Sequence, residues 1–121
     1  MSIKQLQKDI RKNGGLIFSC DTLNLEHLLP KAYDFIKVYN LRTDVADKIE
    51  VVFVGIEDEK AKPTFANLYH NGVTIRNKEE ANYVWNEDVY NYFSHIAPRG
   101  YYFGSSEGDG ACIGWFKEGK E

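Results

Sequence analysis

The sequence predicts an α+β domain with a mostly antiparallel sheet. Three amphipathic segments of helical spacing are separated by short runs typical of strands, and the two kinds of element do not alternate regularly. Such an irregular order favours an antiparallel sheet over the parallel sheet of βαβ proteins. We therefore expect a single domain over residues 1–121, with a sheet of about five or six strands and about three helices packed mainly on one face.

The first predicted helix begins at a capping box formed by Ser2 and Gln5. Apolar residues then recur at helical spacing as far as Arg11. The Asn-Gly-Gly run at residues 13–15 supplies a left-handed conformation of the kind that ends helices. A brief buried strand is predicted over residues 16–20.

The second helical segment follows turn and cap residues at positions 21–24. Its apolar residues share one face across Pro30. Because a proline inside a helix either kinks it or starts a new one, we predict a helical turn over residues 25–29 and a helix over residues 30–39.

Residues 49–56 (I-E-V-V-F-V-G-I) are the most β-like run in the chain. Their apolar side chains would point to both faces, which is typical of a central strand covered on both sides. The charged run at residues 57–63 is predicted to be a solvated loop.

A β-hairpin is predicted over residues 64–76, around Asn71-Gly72. Asn-Gly suits the two-residue turn whose twist matches that of the strands. This turn would pair His70 with Val73 and Leu68 with Ile75, so that one face of the hairpin is apolar and the other is exposed to solvent.

A third helix is predicted to begin at Asn77, with Glu80 completing the cap. Pro98 ends it. Its buried stripe would comprise Ala81, Val84, Trp85, Val89, Tyr92, Phe93 and Ile96. Its polar side carries Glu79, Glu80, Glu87 and Asp88, which we interpret as a solvated face, with partner binding as the alternative.

The chain then forms two short predicted strands, residues 101–104 and 111–116, around a glycine-rich loop. Strand geometry places Tyr101 and Phe103 on one face and Tyr102 on the other. One face must contribute to the core. The other lacks side-chain cover at its glycines, so it would offer a flat aromatic patch or a shallow pocket.

Charge and composition exclude several classes of protein. The net charge is −3 and no basic cluster appears, so we expect no nucleic-acid partner. No signal peptide and no apolar run of membrane-spanning length is present, so we expect a soluble, cytoplasmic protein without a membrane partner. There, Cys20 and Cys112 would normally stay reduced.

The glycine-rich loop at residues 104–110 has three possible kinds of chemistry. Phosphate binding is disfavoured, because Glu107 and Asp109 would repel an anion and no Lys-Ser or Lys-Thr followed by a helix is present. Divalent cations suit the carboxylates better, but the spacing matches neither an EF-hand loop nor a zinc motif. A nucleophile formed by Cys112 and His95, oriented by Asp109, lacks any surrounding signature, so we assign no catalytic residue, metal or cofactor.

The run at residues 97–116 (A-P-R-G-Y-Y-F-G-S-S-E-G-D-G-A-C-I-G-W-F) also carries a resemblance. It resembles the C-terminal signature of small uncharacterised proteins from bacteria and their phages. The matching positions are Tyr102, Phe103, Gly104, Gly108, Asp109, Gly110, Gly114 and Trp115. The resemblance implies a bacterial or phage accessory protein and brings no known activity.

These observations predict a non-enzymatic protein that binds a protein partner through its C-terminal hairpin. The candidate binding residues are Tyr102, Gly104, Ser105, Ser106, Glu107, Asp109, Gly110, Cys112 and Trp115. The alternative is a domain that binds a small ligand or a divalent metal through residues 104–110, and an enzyme using Cys112 or the carboxylates is the third hypothesis.

Overall fold

A computed structural model of the protein describes residues 2–20, 24–56, 60–64, 66–67, 72–106 and 112–118. Its helices are α1 (Ile3–Asn13), α2 (Leu25–Val38), α3 (Thr43–Val51) and α4, which consists of three consecutive segments, α-helical Lys78–Tyr83, π-helical Val84–Val89 and α-helical Tyr90–His95. The strands are β1 (Gly15–Ser19), β2 (Phe53–Val54), β3 (Thr74–Ile75), β4 (Tyr101–Ser105) and β5 (Ile113–Lys117).

All strand pairs are antiparallel, which confirms the predicted α+β class. The strands do not form one sheet, however. β1, β5 and β4 make a three-stranded sheet in that order, while β2 and β3 make a separate pair. Within the described ranges, no helix is both long and apolar enough to cross a membrane.

The first helix forms as predicted. The Ser2 hydroxyl accepts a hydrogen bond from the Gln5 amide at 3.3 Å, and Gly14 ends the helix in the left-handed region at φ 69°. Leu6 and Ile10 are fully buried, so the apolar stripe of α1 packs into the core.

The predicted break in the second helical segment is wrong. α2 is one continuous helix that begins after Asn24, whose side chain accepts from the Glu26 amide at 2.9 Å, and Pro30 lies inside it. Pro30 is fully buried, and the apolar residues before and after it face the same core. Packing of this shared face keeps the two pieces in one helix despite the missing backbone donor.

The predicted central strand over residues 49–56 is also wrong. α3 continues through Val51, and only Phe53 and Val54 are in β conformation. Val45 and Ile49 are buried at helical spacing, whereas Val51 is 61% exposed. Packing of this helical stripe into the core therefore overrides the β propensity of the valines.

The predicted hairpin over residues 64–76 does not form in the described part of that segment. Ala66 and Asn67 are helical, and the Thr64 hydroxyl accepts from the Asn67 amide at 3.1 Å, as a helix cap does. β3 pairs instead with β2, with Ile75 opposite Phe53. The proposed partners His70 and Leu68, with Asn71, lie outside the described residues.

The third helix follows the predicted stripe from end to end. Its predicted inward-facing residues are all buried: Ala81, Val84, Trp85, Val89, Tyr92, Phe93 and Ile96. Asn77 caps it by accepting from the Glu80 amide at 3.1 Å. This helix and α2 cover one face of the three-stranded sheet, where the Trp115 ring lies 5.2 Å from that of Phe93 and 5.6 Å from that of Phe35.

Candidate functional site

The candidate site lies on the three-stranded sheet, whose two faces differ sharply. On the inner face, Phe103 pairs with Trp115, and their ring centroids are 4.9 Å apart. Phe103 is 4% exposed and Trp115 is fully buried. The predicted alternation of β4 is therefore confirmed, with Phe103 in the core and its neighbour Tyr102 on the other face.

Trp115 cannot be a surface binding residue in this fold. Its indole Nε1 donates to the Phe93 carbonyl oxygen at 3.0 Å, inside the aromatic core. The sequence placed it among the candidate contacts because a hairpin tryptophan is equally typical of a core and of an interface. The register of β5 places it on the inner face, so its role is to hold the sheet against α4.

Cys112 is removed from the candidate contacts by a disulfide bond to Cys20. The expectation that both cysteines stay reduced is wrong for this structure. The cause is the strand register: Ser19 pairs with Ile113, so the next residues along the two antiparallel strands, Cys20 and Cys112, lie opposite each other. In this disulfide form, Cys112 has no thiol with which to act as a nucleophile.

We call the opposite side of the sheet the outer face and define it by Ile17, Tyr102 and Phe116. Phe116 lies across from Tyr102, with ring centroids 5.9 Å apart, and both residues are half-buried. Ile17 pairs with Gly114 in the adjacent row and is 59% exposed. These three side chains form an apolar surface that is not part of the main core cluster.

The outer-face glycines are enclosed by neighbouring atoms, contrary to the expectation that they lie uncovered. A Cβ added to Gly114 would lie 2.3 Å from the Leu16 carbonyl oxygen, because β1 is irregular at this point and its backbone closes over the glycine. A Cβ on Gly104 would lie 2.7 Å from the Tyr90 hydroxyl. Gly104 and Gly114 therefore permit close packing, and the accessible surface is limited to the three larger side chains.

The serines at the end of β4 sit where the hairpin leaves the sheet. Ser105 is exposed, and its carbonyl oxygen accepts from the Tyr102 hydroxyl at 3.2 Å. The Ser106 amide donates to the Cys112 carbonyl oxygen at 2.8 Å, which continues the hairpin pairing by one step.

Glu107, Asp109 and Gly110 lie outside the described residues, so the ligand or metal alternative stays a prediction. Within the described ranges, no group of three or more His, Cys, Asp or Glu side chains could hold a metal ion. His95 is exposed on α4.

Ile17 is the residue of the outer face that sequence reasoning missed. The run L-I-F-S-C at residues 16–20 was interpreted as a buried strand, which hides any outward position. The signal that could have found it is the alternation with Leu16, which pairs with the buried Trp115 and so faces inward. A hollow of about 440 Å³ borders this residue, lined by Phe116 and by the turn from Asn13 to Leu16.

Comparison with known proteins does not assign this chain to a family. No family model, no curated protein and no solved structure matches the chain.

Proposed function

We propose that this protein binds a protein partner through the outer face of its three-stranded sheet. The observation that carries the proposal is the exposed Ile17 side chain beside the aromatic pair of Tyr102 and Phe116. Single exposed apolar residues are ordinary on protein surfaces, but apolar residues grouped on one face are typical of interaction sites. The resemblance of the hairpin to small bacterial and phage proteins suggests an accessory role for such binding.

The shape of the surface favours a protein over a small molecule as partner. Small ligands are usually held in concave sites, and the hollow of about 440 Å³ beside Ile17 is bordered by Phe116 but not by Tyr102, whereas a protein partner can cover all three outer-face side chains. Aromatic side chains lose little conformational entropy when an interface forms, and they are frequent among residues that dominate binding energy. Tyr102 and Phe116, already in contact, would be ordered before the partner arrives.

Photo-crosslinking can identify the partner and test the surface together. A benzophenone amino acid would replace Ile17 in one variant and Val38 in the other, because these side chains are equally exposed at 59% and 58%. Val38 ends α2 and lies outside the outer face. We expect a discrete crosslinked product from position 17 and none of that mass from position 38.

The captured protein is then purified, and its affinity for the wild type and for each variant tests the proposal. Ile17→Ser should weaken binding about 10- to 100-fold, the equivalent of losing about 1.5–3 kcal/mol of apolar burial. Val38→Ser should leave the affinity unchanged. If both variants bind as the wild type does, the outer face is not the binding surface. If the captured protein is a second copy of the chain, the same comparison is made by sedimentation equilibrium.

A further inference from the structure

A second apolar surface lies in a groove between α3 and α4, which shares no residue with the outer face. At one end is a hollow of about 280 Å³ with Val52 and Val84 buried at its base. Val51 and Tyr83 stand at its sides and are 61% and 64% exposed. Two large apolar side chains thus remain open to solvent beside a concave apolar floor.

The groove continues past this hollow along both helices. A second hollow of about 400 Å³ adjoins the first and includes Arg42, Asp44 and Glu87 in its lining. Lys48 and Asp88 line both hollows, and the Lys48 ammonium lies 3.0 Å from the Asp88 carboxylate. This ion pair joins α3 to α4 and divides one groove into an apolar part and a polar part.

The wall contributed by α4 has an unusual backbone. Residues Val84–Val89 are π-helical, and both Asp88 and the buried Val84 belong to this segment. π-helical turns are rare and occur frequently at functional sites. The segment is therefore a second feature, independent of the apolar side chains, that marks the groove.

The charges along the groove are predominantly negative. Asp44 pairs with Arg42 and Asp88 pairs with Lys48. Glu80 and Glu87 line the groove as well, and neither has an ion-pair partner among the residues that the structure describes. One unpaired carboxylate in each hollow, together with the apolar side chains of the first hollow, complements a partner that carries basic and apolar side chains together.

We propose that the groove binds an amphipathic helix of another protein. One apolar side chain of that helix enters between Val51 and Tyr83, and two basic side chains face Glu80 and Glu87. Glu80 and Glu87 are seven residues apart, and because the π-helical segment begins between them, their separation along the axis is shorter than the ~10.5 Å of an ideal α-helix. Two flexible basic side chains spaced by about two turns on the partner helix span this interval. The bound helix packs as a third helix against α3 and α4.

The α1 helix of a second copy of this chain fits the groove less well. It carries exposed Lys4 and Arg11, also two turns apart, so its charge is suitable. The apolar residues between them, Leu6 and Ile10, are fully buried in the core of their own copy. α1 therefore lacks the central apolar side chain that the hollow would take.

Two synthetic peptides provide the test. Each is an alanine-based helix of about 14 residues, or four turns, with a central leucine flanked by two charged residues that are two turns apart. The charged residues are lysines in one peptide and glutamates in the other. We expect fluorescence anisotropy at low salt to show binding of the lysine peptide and at least about 10-fold weaker binding of the glutamate peptide.

Charge reversal in the protein then separates specific contacts from general attraction. The double variant Glu80→Lys, Glu87→Lys should lose at least about 10-fold in affinity for the lysine peptide and gain affinity for the glutamate peptide. The matched control Asp47→Lys, Glu118→Lys makes a charge change of equal size and sign at two exposed positions that line neither hollow, and it should leave the preference for the lysine peptide in place. An unchanged peptide preference in the groove variant would overturn the proposal.

The apolar contact is tested with a matched pair of valines, each the last residue of a helix. Val51→Ser in the groove should weaken binding of the lysine peptide about fivefold or more, whereas Val38→Ser at the end of α2 should not. Circular dichroism verifies that both variants fold. Equal effects of the two substitutions, or no binding by about 1 mM peptide, would contradict the proposal. If the wild-type protein is a dimer and Val51→Ser makes it a monomer, the groove binds a second copy of the chain and not a helix of another protein.

Discussion

The three-stranded sheet and the β2–β3 pair are held together by different kinds of contact. β4 and β5 pair over five residues each, and an aromatic cluster packs on their inner face. A disulfide joins Cys20, just after β1, to Cys112, just before β5. β2 and β3 share only two residue pairs, extended by one hydrogen bond of 2.8 Å from the Arg76 amide to the Val52 carbonyl oxygen. The first sheet is therefore a scaffold, whereas the second depends on its neighbours.

Those neighbours include a polar network around Glu50, at the end of α3. The Tyr33 hydroxyl donates to the Glu50 carboxylate at 2.7 Å, and the Lys62 ammonium lies 3.1 Å from it. Burial alone would raise the pKa of Glu50, but these two hydrogen bonds outweigh it and the pKa lies below its ordinary value. Burial and the bond to Glu50 together raise the pKa of Tyr33.

Among the changes that compare the two sheets, removal of the disulfide of the three-stranded sheet should cost the most. Cys20 and Cys112 are 92 residues apart, and closing a loop of this size stabilises a protein by about 4 kcal/mol. The double variant Cys20→Ser, Cys112→Ser should lose a free energy of unfolding of that size in urea denaturation. Dithiothreitol should destabilise the wild type and leave the variant unchanged. A loss below about 1 kcal/mol would mean that the bond does not support the sheet.

The next effect concerns the close approach of β1 and β5. Gly114→Ala places a methyl group against the Leu16 carbonyl oxygen, so the strands must separate, and we expect a loss of about 3 kcal/mol. Gly14→Ala is the control, because its added Cβ meets no atom within 4 Å and only its φ of 69° is unfavourable, which costs about 1 kcal/mol. Similar losses for both, by urea denaturation, would indicate that β1 is not closed over Gly114.

The smallest effect is a pH dependence in the region of β2 and β3. Because the pKa of Glu50 is lowered on folding, its contribution is present above its ordinary value of 4.5 and is lost as the pH falls below it. Glu50→Gln should flatten this part of the stability profile by about 1 kcal/mol or less, since the group is partly solvated. Tyr33→Phe, which removes one donor, should give an intermediate slope.

Amide hydrogen exchange locates this acid effect. On acidification, the amides of β2 and β3 should lose protection relative to those of β5, after correction for the intrinsic rate. Two results would contradict the difference between the two sheets. One is an equal loss of amide protection in both sheets on acidification, and the other is a Glu50→Gln variant whose stability depends on pH as that of the wild type does.

The elements that sequence predicts well have signals at both ends and along one face. α1 has a cap at Ser2 and a left-handed glycine at Gly14, and both act as expected. β4 and β5 alternate clearly, so Phe103 and Tyr102 were predicted on opposite faces of the sheet, and Phe103 is the one that lies in the core. In these segments, local preference and long-range packing point to the same structure.

The middle of the chain could not be predicted because its local and long-range signals conflict. An apolar run such as residues 49–56 suits a buried strand or a helix, and only the packing of α3 against α2 decides between them. The predicted hairpin did not anticipate that Thr74 pairs with Val54, because no local pattern indicates this pairing. The position of Cys20 opposite Cys112 likewise depends on a register set by the whole fold.

The stabilities of two adjacent variants test whether the three-stranded sheet has one core face and one open face. Phe103→Ser removes a ring that is 4% exposed and should cost about 3–5 kcal/mol in urea denaturation. Tyr102→Ser removes a half-buried ring and its hydrogen bond to the Ser105 carbonyl oxygen, and should cost about 1 kcal/mol. This large difference is the predicted result. Equal losses, or a greater loss for Tyr102→Ser, would mean that the outer face is packed and cannot receive a partner.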